Sequence, residues 1–214
     1  MSDSGSTVYS SVTGALGHIT FNRPAKRNAI NIAMAEQFVH RVEEMIEKGV
    51  RVAILDATGD VFSAGADLKC PQNAEAITRV GRCITESPLL WIACVSGPAV
   101  GIAVAYVAQC MVSIVSEKAW FNLPEAKAVG HFPLGVARLF PSTVSVRWVL
   151  EAGLSGMRYS ADVAAKVGLC TEVVADGRER SVALGWAERL LDLDPRVLED
   201  AATWWRQKLP EYQG

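Results

Sequence analysis

Two stretches of small residues offer a ligand little except backbone. One is "SAGAD" (63–67), after the apolar run "VRVAILD" (50–56); the other is "SGPAVGIAVAY" (96–106), overlapping the end of "LLWIACVSG" (89–97). Small side chains let backbone approach closely, and the unbonded N–H groups at a helix start point toward negative charge. Two such groups converging on one carbonyl oxygen form an oxyanion hole. The same residue types before a helix also serve as ordinary turn chemistry, and spacing alone leaves both readings open. Further along stand Glu125 in "WFNLPEAKAVG" and the basic turn "RPAKR" (23–27). Taken alone, a glutamate after Pro124 and a basic turn both read as solvated surface. His131, in "GHFPLG", suits an acid/base group, a helix cap or a polar pocket.

These residues need elements to hold them. Strand-like runs "HITFN" (18–22), "VRVAILD" and "LLWIACVSG" alternate with helical patterns. In "NIAMAEQFVHRVEEMIEKG" (31–49), Met34, Phe38, Val42, Met45 and Ile46 recur at steps that predict an amphipathic helix, with Asn31 as its cap and Gly49 at its end. The segment 97–121 is apolar on nearly every side, which predicts a helix sunk in the core followed by a buried strand, "MVSIVS". A helix from Ser160, ending near Gly168, leads to another short strand, and the tail from Arg180 is helical with Pro195 interrupting it. Strand and helix in alternation predict an α/β domain with a largely covered sheet.

At 214 residues and 50% hydrophobic composition, the chain can close one sizeable core. Its 21 basic against 23 acidic residues give a net charge of −2, so no basic field is available for nucleic acid. Five scattered cysteines without a CxxC pair argue against a disulfide framework and a metal site. A polar, Ser-rich first segment and the lack of a long apolar run predict a soluble, cytoplasmic protein with no membrane span. Trp204 and Trp205 near the end need a cover, for which a neighbouring subunit is the expectation.

The blocks "HITFNRPAKRNAIN", "FSAGADLK", "IACVSGPAVGIAVA", "WFNLPEAKAVG" and "SGMRYSADVAAKVGL" stand in the order, and near the spacings, of the crotonase family, the enoyl-CoA hydratase/isomerase superfamily. The resemblance spans roughly residues 15 to 175. It implies a crotonase-like spiral of ββα repeats over residues 1–180, with a shortened C-terminal helical region, 181–214, as a trimerisation or lid segment. It implies a homotrimer or dimer of trimers that binds an acyl-CoA thioester, with coenzyme A as part of the substrate and no separate cofactor.

Residue by residue, the resemblance puts the thioester oxygen on the backbone N–H groups of Ala66 and Ile102. Ile102 stands where relatives usually carry glycine; the donor is backbone, so the hole survives while the side chain narrows the acyl pocket. Adenine recognition falls on the backbone of Ala64, Ala66, Asp67 and Leu68, next to Lys69, and phosphate contacts fall near Lys26, helped by Arg23 or Arg27. His131 is carried as a further substrate-binding position. Hydratases of the family use two glutamates; counting from Gly97 to Phe121, the first position is Ala105 and the second is Glu125. One retained carboxylate favours a single-glutamate enoyl-CoA isomerase. The alternatives are a non-catalytic acyl-CoA-binding protein, and a hydratase, hydrolase or decarboxylase of the same family.

Overall fold

The alternation of apolar runs and amphipathic stretches winds into a layered α/β chain in the computed structural model, which describes residues 5–70 and 74–210. Strands β1 (Val8–Thr13) and β2 (Leu16–Phe21) form a hairpin, followed by a one-turn 3-10 helix over Pro24–Lys26 and then α1 (Ile32–Glu47). Next come β3 (Val52–Ala57), α2 (Ala74–Glu86), β4 (Leu90–Val95), β5 (Ala99–Val100) and α3 (Ile102–Gln109). The chain continues through β6 (Val112–Ser116), β7 (Trp120–Asn122), α4 (Glu125–Val129), α5 (Leu134–Ala137) and α6 (Val146–Ser155). It closes with β8 (Arg158–Ser160), α7 (Ala161–Lys166), β9 (Glu172–Val174), α8 (Glu179–Leu191) and α9 (Pro195–Arg206).

Six strands pair in the order β1-β2-β3-β4-β6-β9, with every pair after the first hairpin parallel. All residues of β3 and β4 are buried, as a parallel sheet covered on both faces requires. Their side chains alternate between two cores. Ala53, Leu55, Trp91, Ala93 and Val95 join the larger core with α1, α2 and α3, while Val52, Ile54, Leu90, Ile92 and Cys94 meet α8 and α9 on the other face. Phe21 sits 5.7 Å from Phe38 and 5.8 Å from Phe62, and Phe38 stacks on Trp91 at 5.9 Å, an aromatic seam between sheet and α1.

A second, thinner layer gives the chain its spiral. After β2, β3, β4 and β6, the backbone makes a short extended segment before its helix, and these segments pair in succession. Ile30 bridges Ala66, Ser63 bridges Ala99, and β5 pairs with β7, which pairs with β8. Each turn of the spiral is therefore a long strand, a short strand or bridge, and a helix. This layer carries the two small-residue stretches and lies against the N-terminal end of α3.

Asn31 caps α1 as its spacing predicts, accepting from the Met34 N–H, and Ser160 caps α7 in the same way through Val163. Pro195 begins α9 at a position where its missing N–H is harmless. Ile46 departs from expectation: it lies one step past Met45, at the edge of the stripe, and is 38% exposed. The 63–67 stretch also departs, since it caps no helix; it is held by bridges, and α2 begins at Ala74. Trp205 finds cover within the chain, its Nε1 donating to the Gln109 carbonyl at 2.9 Å, whereas Trp204 is 60% exposed with Lys208 over its ring. All five cysteines are free, and burial pushes the Cys94 thiol up to about 12. No helix among the described residues is long and apolar enough to cross a membrane. Residues 1–4 and 211–214, the extremes of the predicted core and tail segments, and 71–73 lie outside the described residues.

Gly97 shows how closely the spiral's turns approach. A Cβ there would stand 2.2 Å from the Asp60 carbonyl oxygen, so Gly97→Ala must move one turn against another. We expect it to lower unfolding free energy by about 2–4 kcal/mol in urea melts. Gly185→Ala in α8 meets nothing within 4 Å and should instead be neutral or gain up to about 1 kcal/mol.

Candidate active site

The bonding of residues 63–67 isolates one donor. The Ser63 N–H donates to Pro98 O, Ala64 to Arg27 O, and Asp67 to Ile30 O, while Gly65 donates to the Ser63 hydroxyl at 3.1 Å. The Ala66 N–H makes no hydrogen bond among the described residues. Gly65 adopts φ +81°, and a Cβ on it would fall 2.6 Å from Val100 O and 3.6 Å from the Ile102 nitrogen. Glycine is thus what lets this loop lie against the start of α3.

At that start, Gly101 has φ 58° and ψ −129°, and its N–H donates to Asn122 O at 2.8 Å. The next donor, Ile102 N–H, opens the first turn of a helix whose residues are all buried, where no carbonyl can reach it from within the helix. Ala66 and Ile102 line one cavity of about 660 Å³. The structure therefore places on one cavity wall the two residues whose N–H groups the family resemblance implies as donors. Ile102 is itself 6% exposed.

Glu125, first residue of α4, lines the same cavity. Its Oε1 would stand 2.8 Å from a Cβ at Gly101, so the carboxylate lies over the glycine that precedes the Ile102 donor. Its Oε2 is buried with no hydrogen-bond partner. Burial raises its pKa above the ordinary glutamate value, opposed by its own backbone N–H and by the charge of His131. A desolvated carboxylate with an unpartnered oxygen, on the same cavity wall as two residues with unbonded N–H groups, is equipped to take a proton from carbon next to a bound carbonyl.

Most of the remaining lining is apolar, from Ala74 and Ile77 of α2 to Val136 and Leu139 around α5. The Thr78 hydroxyl is occupied by Ala74 O at 2.9 Å. Ala105 is fully buried on α3 and is not among the lining residues. Its polar neighbours on the helix are committed elsewhere: Tyr106 Oη donates to Ile77 O at 2.7 Å and Gln109 Nε2 to Leu139 O at 3.0 Å.

Ala64 and Leu68 also line the cavity, and Leu68 is 74% exposed at its rim. Asp67 is not a free carboxylate: Arg23 Nη1 donates to its Oδ2 at 2.6 Å and also to Ala29 O. That hydrogen bond holds the Asp67 carboxyl below its ordinary value. Arg23, expected to help with phosphate, is thus spent on fixing the loop, leaving Lys26, Arg27 and Lys69 as exposed cations outside the cavity lining. His131 is exposed, also outside the lining, with Nδ1 3.2 Å from Phe132 O, and it acts on the site through its charge on Glu125.

Two residues escaped sequence reasoning. Asn28 is fully buried at φ 53°, accepts from Arg23 N at 2.7 Å, and donates to Thr58 O and Val61 O. Its carbonyl accepts from the Ser63 hydroxyl at 2.8 Å. The signal for it was an Asn directly after a basic turn, a residue that tolerates left-handed backbone. The other is Arg138, an exposed cation on the cavity wall, for which the segment "PLGVARLFP" gave no cue beyond its residue type.

Comparison with known proteins places this geometry in context. Residues 11–210 match the family model for enoyl-CoA hydratase/isomerase. Human enoyl-CoA delta isomerase 2 is 31% identical over 172 residues, 74% of this chain and 43% of that protein. The mouse peroxisomal enoyl-CoA delta isomerase 3 is 30% identical over 193 residues, 84% of this chain and 61% of that protein. The chain spans about half the length of these curated relatives. The crystal structure of human enoyl coenzyme A hydratase domain-containing protein 3 superposes with a TM-score of 0.84 at 25% identity, covering 96% of this chain and 85% of that one.

The Glu125 environment is open to direct titration. Its carboxyl should titrate by carbon NMR above the ordinary value of 4.5, and in His131→Gln it should titrate higher still, because the positive imidazole that favours the carboxylate is gone. The folded state holds this proton more tightly than the unfolded chain. The stability it contributes is therefore present below the unfolded pKa and lost as pH rises through the folded one.

Proposed function

The chain belongs to the enoyl-CoA hydratase/isomerase family, and within it we propose that the protein is a single-glutamate enoyl-CoA isomerase working through a thioester enolate. The observation that carries this is the Glu125 carboxylate, desolvated and with Oε2 unpartnered, beside the turn that presents the Ile102 N–H. In the proposed reaction the Ala66 and Ile102 N–H groups donate to the thioester oxygen of a 3-enoyl-CoA. Glu125 removes a proton from C2, and the electron pair passes to the thioester oxygen as a dienolate. The same carboxyl returns its proton to C4 as the charge collapses, so the double bond moves from C3–C4 to C2–C3.

One base serves both ends of this transfer, whereas addition of water is best served by a second acid/base group. Ala105 supplies none, and Tyr106 and Gln109 on the same helix are held by backbone carbonyls of Ile77 and Leu139. The names of the two isomerase relatives support the same choice. The proposal carries a homotrimer or dimer of trimers with it. Val146, Leu150 and Leu154 on α6 are 78%, 52% and 60% exposed, a face suited to contact another subunit.

Purified protein should convert 3-enoyl-CoA to 2-enoyl-CoA without hydrating it. Glu125→Gln should cut kcat by about 10²–10⁴-fold, while affinity for a saturated acyl-CoA changes by no more than a few-fold. Tight binding with no double-bond migration in the wild type would assign the chain to acyl-CoA binding instead, and hydration would mean that another group replaces the missing glutamate.

A further inference from the structure

The cavity wall is tied to α3 at three points. The helix runs from Ile102 to Gln109, a rise of about 10 Å. Ile102 lies at the thioester end of the proposed reaction. Midway, Tyr106 Oη holds Ile77 O, and at the far end Gln109 Nε2 holds Leu139 O; both Ile77 and Leu139 line the cavity. The lining thus includes the start of α3 and residues tied to its middle and its last turn, and in the proposed reaction the acyl chain of a bound thioester lies against this largely apolar wall.

Arg138 stands next to Leu139 at the far end, lines the cavity and is exposed. It forms no ion pair or side-chain hydrogen bond among the described residues, and its backbone N–H closes the last turn of α5 onto Leu134 O. Among the described residues, Glu125 and Arg138 are the charged ones that line the cavity. They divide it electrostatically, with negative charge beside the thioester and positive charge where the acyl chain would end. An anionic chain terminus is repelled from the first and drawn to the second, and the planar guanidinium matches a carboxylate through paired N–H donors.

We propose that Arg138 forms a subsite for a carboxylate at the far end of the acyl chain, so that the preferred thioesters are those of diacids of medium length. This rests on the acyl-CoA reading above and specifies its substrate class. A phosphate of coenzyme A is the other anion that Arg138 could meet, and the test separates the two.

Adipoyl-CoA and hexanoyl-CoA differ in one terminal carboxylate and carry no double bond to isomerise, so their affinities, measured by calorimetry, report on binding alone. The wild type should bind adipoyl-CoA about five- to tenfold more tightly than hexanoyl-CoA, given a partly exposed, charge-assisted pair. Arg138→Gln should bring that ratio close to one, and Arg138→Lys should keep part of it. Equal affinities in the wild type would overturn the proposal. So would an Arg138→Gln that weakens both thioesters alike, which would assign the guanidinium to coenzyme A. A chain with the expected preference but no isomerisation fails only the catalytic reading, and one that binds neither thioester fails both.

Discussion

Backbone hydrogen bonding in residues 63–67 is the constraint on which the site depends. Four of the five N–H groups there are taken by Pro98, Arg27, Ile30 and the Ser63 hydroxyl, and the remaining one, on Ala66, is left at the cavity wall. Three of those acceptors belong to neighbouring turns of the spiral and the fourth is the loop's own Ser63 hydroxyl, so the loop is defined largely by the stacking of turns. Asn28 ties the arrangement together. A buried side chain with three satisfied hydrogen bonds holds the basic turn to 58–61, and its carbonyl fixes the Ser63 hydroxyl that in turn receives Gly65. A buried amide of this kind is costly to leave unsatisfied and is correspondingly specific once all its partners are present. The Arg23–Asp67 pair closes the same loop from outside, with both side chains largely shielded.

The opposite wall is built with the same economy. Asn122 is buried; its carbonyl receives Gly101 N–H and its side chain donates to Gly156 O and Met157 O, so β7 fixes the entry to α3 and the approach of β8 together. Gly101 then has two reasons to be glycine: its positive φ, and the space that the Glu125 carboxylate occupies above it. Desolvating that carboxylate beside the N-terminal end of a helix places a base and the positive end of a dipole around one small volume. The arrangement suits a reaction in which negative charge moves from a carboxylate to a carbonyl oxygen and back.

Much of this was legible in the sequence where the signal is local or periodic. The stripe of α1, the caps at Asn31 and Ser160, and the wholly buried α3 follow from spacing and composition, and the five ordered blocks name the fold. The open donors at Ala66 and Ile102 were placed by resemblance, and the structure brings them to one cavity. What sequence could not carry is the pairing between distant turns. That Arg23 would be spent on Asp67, 44 residues away, depends on how turns stack, as does the role of Asn28. His131, close to Glu125 in sequence, turns outward because the chain bends at Phe132 and Pro133 into α5, and Arg138 comes to the wall by the same bend. Two short extended segments, at Ile30 and at 63–66, are too brief to show strand periodicity, so the second layer of the spiral was implied by the family resemblance and not by the local pattern.

The central claim is that Glu125 and the two N–H donors at Ala66 and Ile102 act together on a carbon acid next to a thioester. It is tested most directly by hydrogen exchange into a saturated acyl-CoA, which can enolise but cannot isomerise. In D₂O, the protein should catalyse deuterium incorporation at C2 of hexanoyl-CoA, read by mass spectrometry and proton NMR, and Glu125→Gln should abolish it. Hexanoyl-CoA bound by the wild-type protein with no deuterium entering C2 would contradict the account.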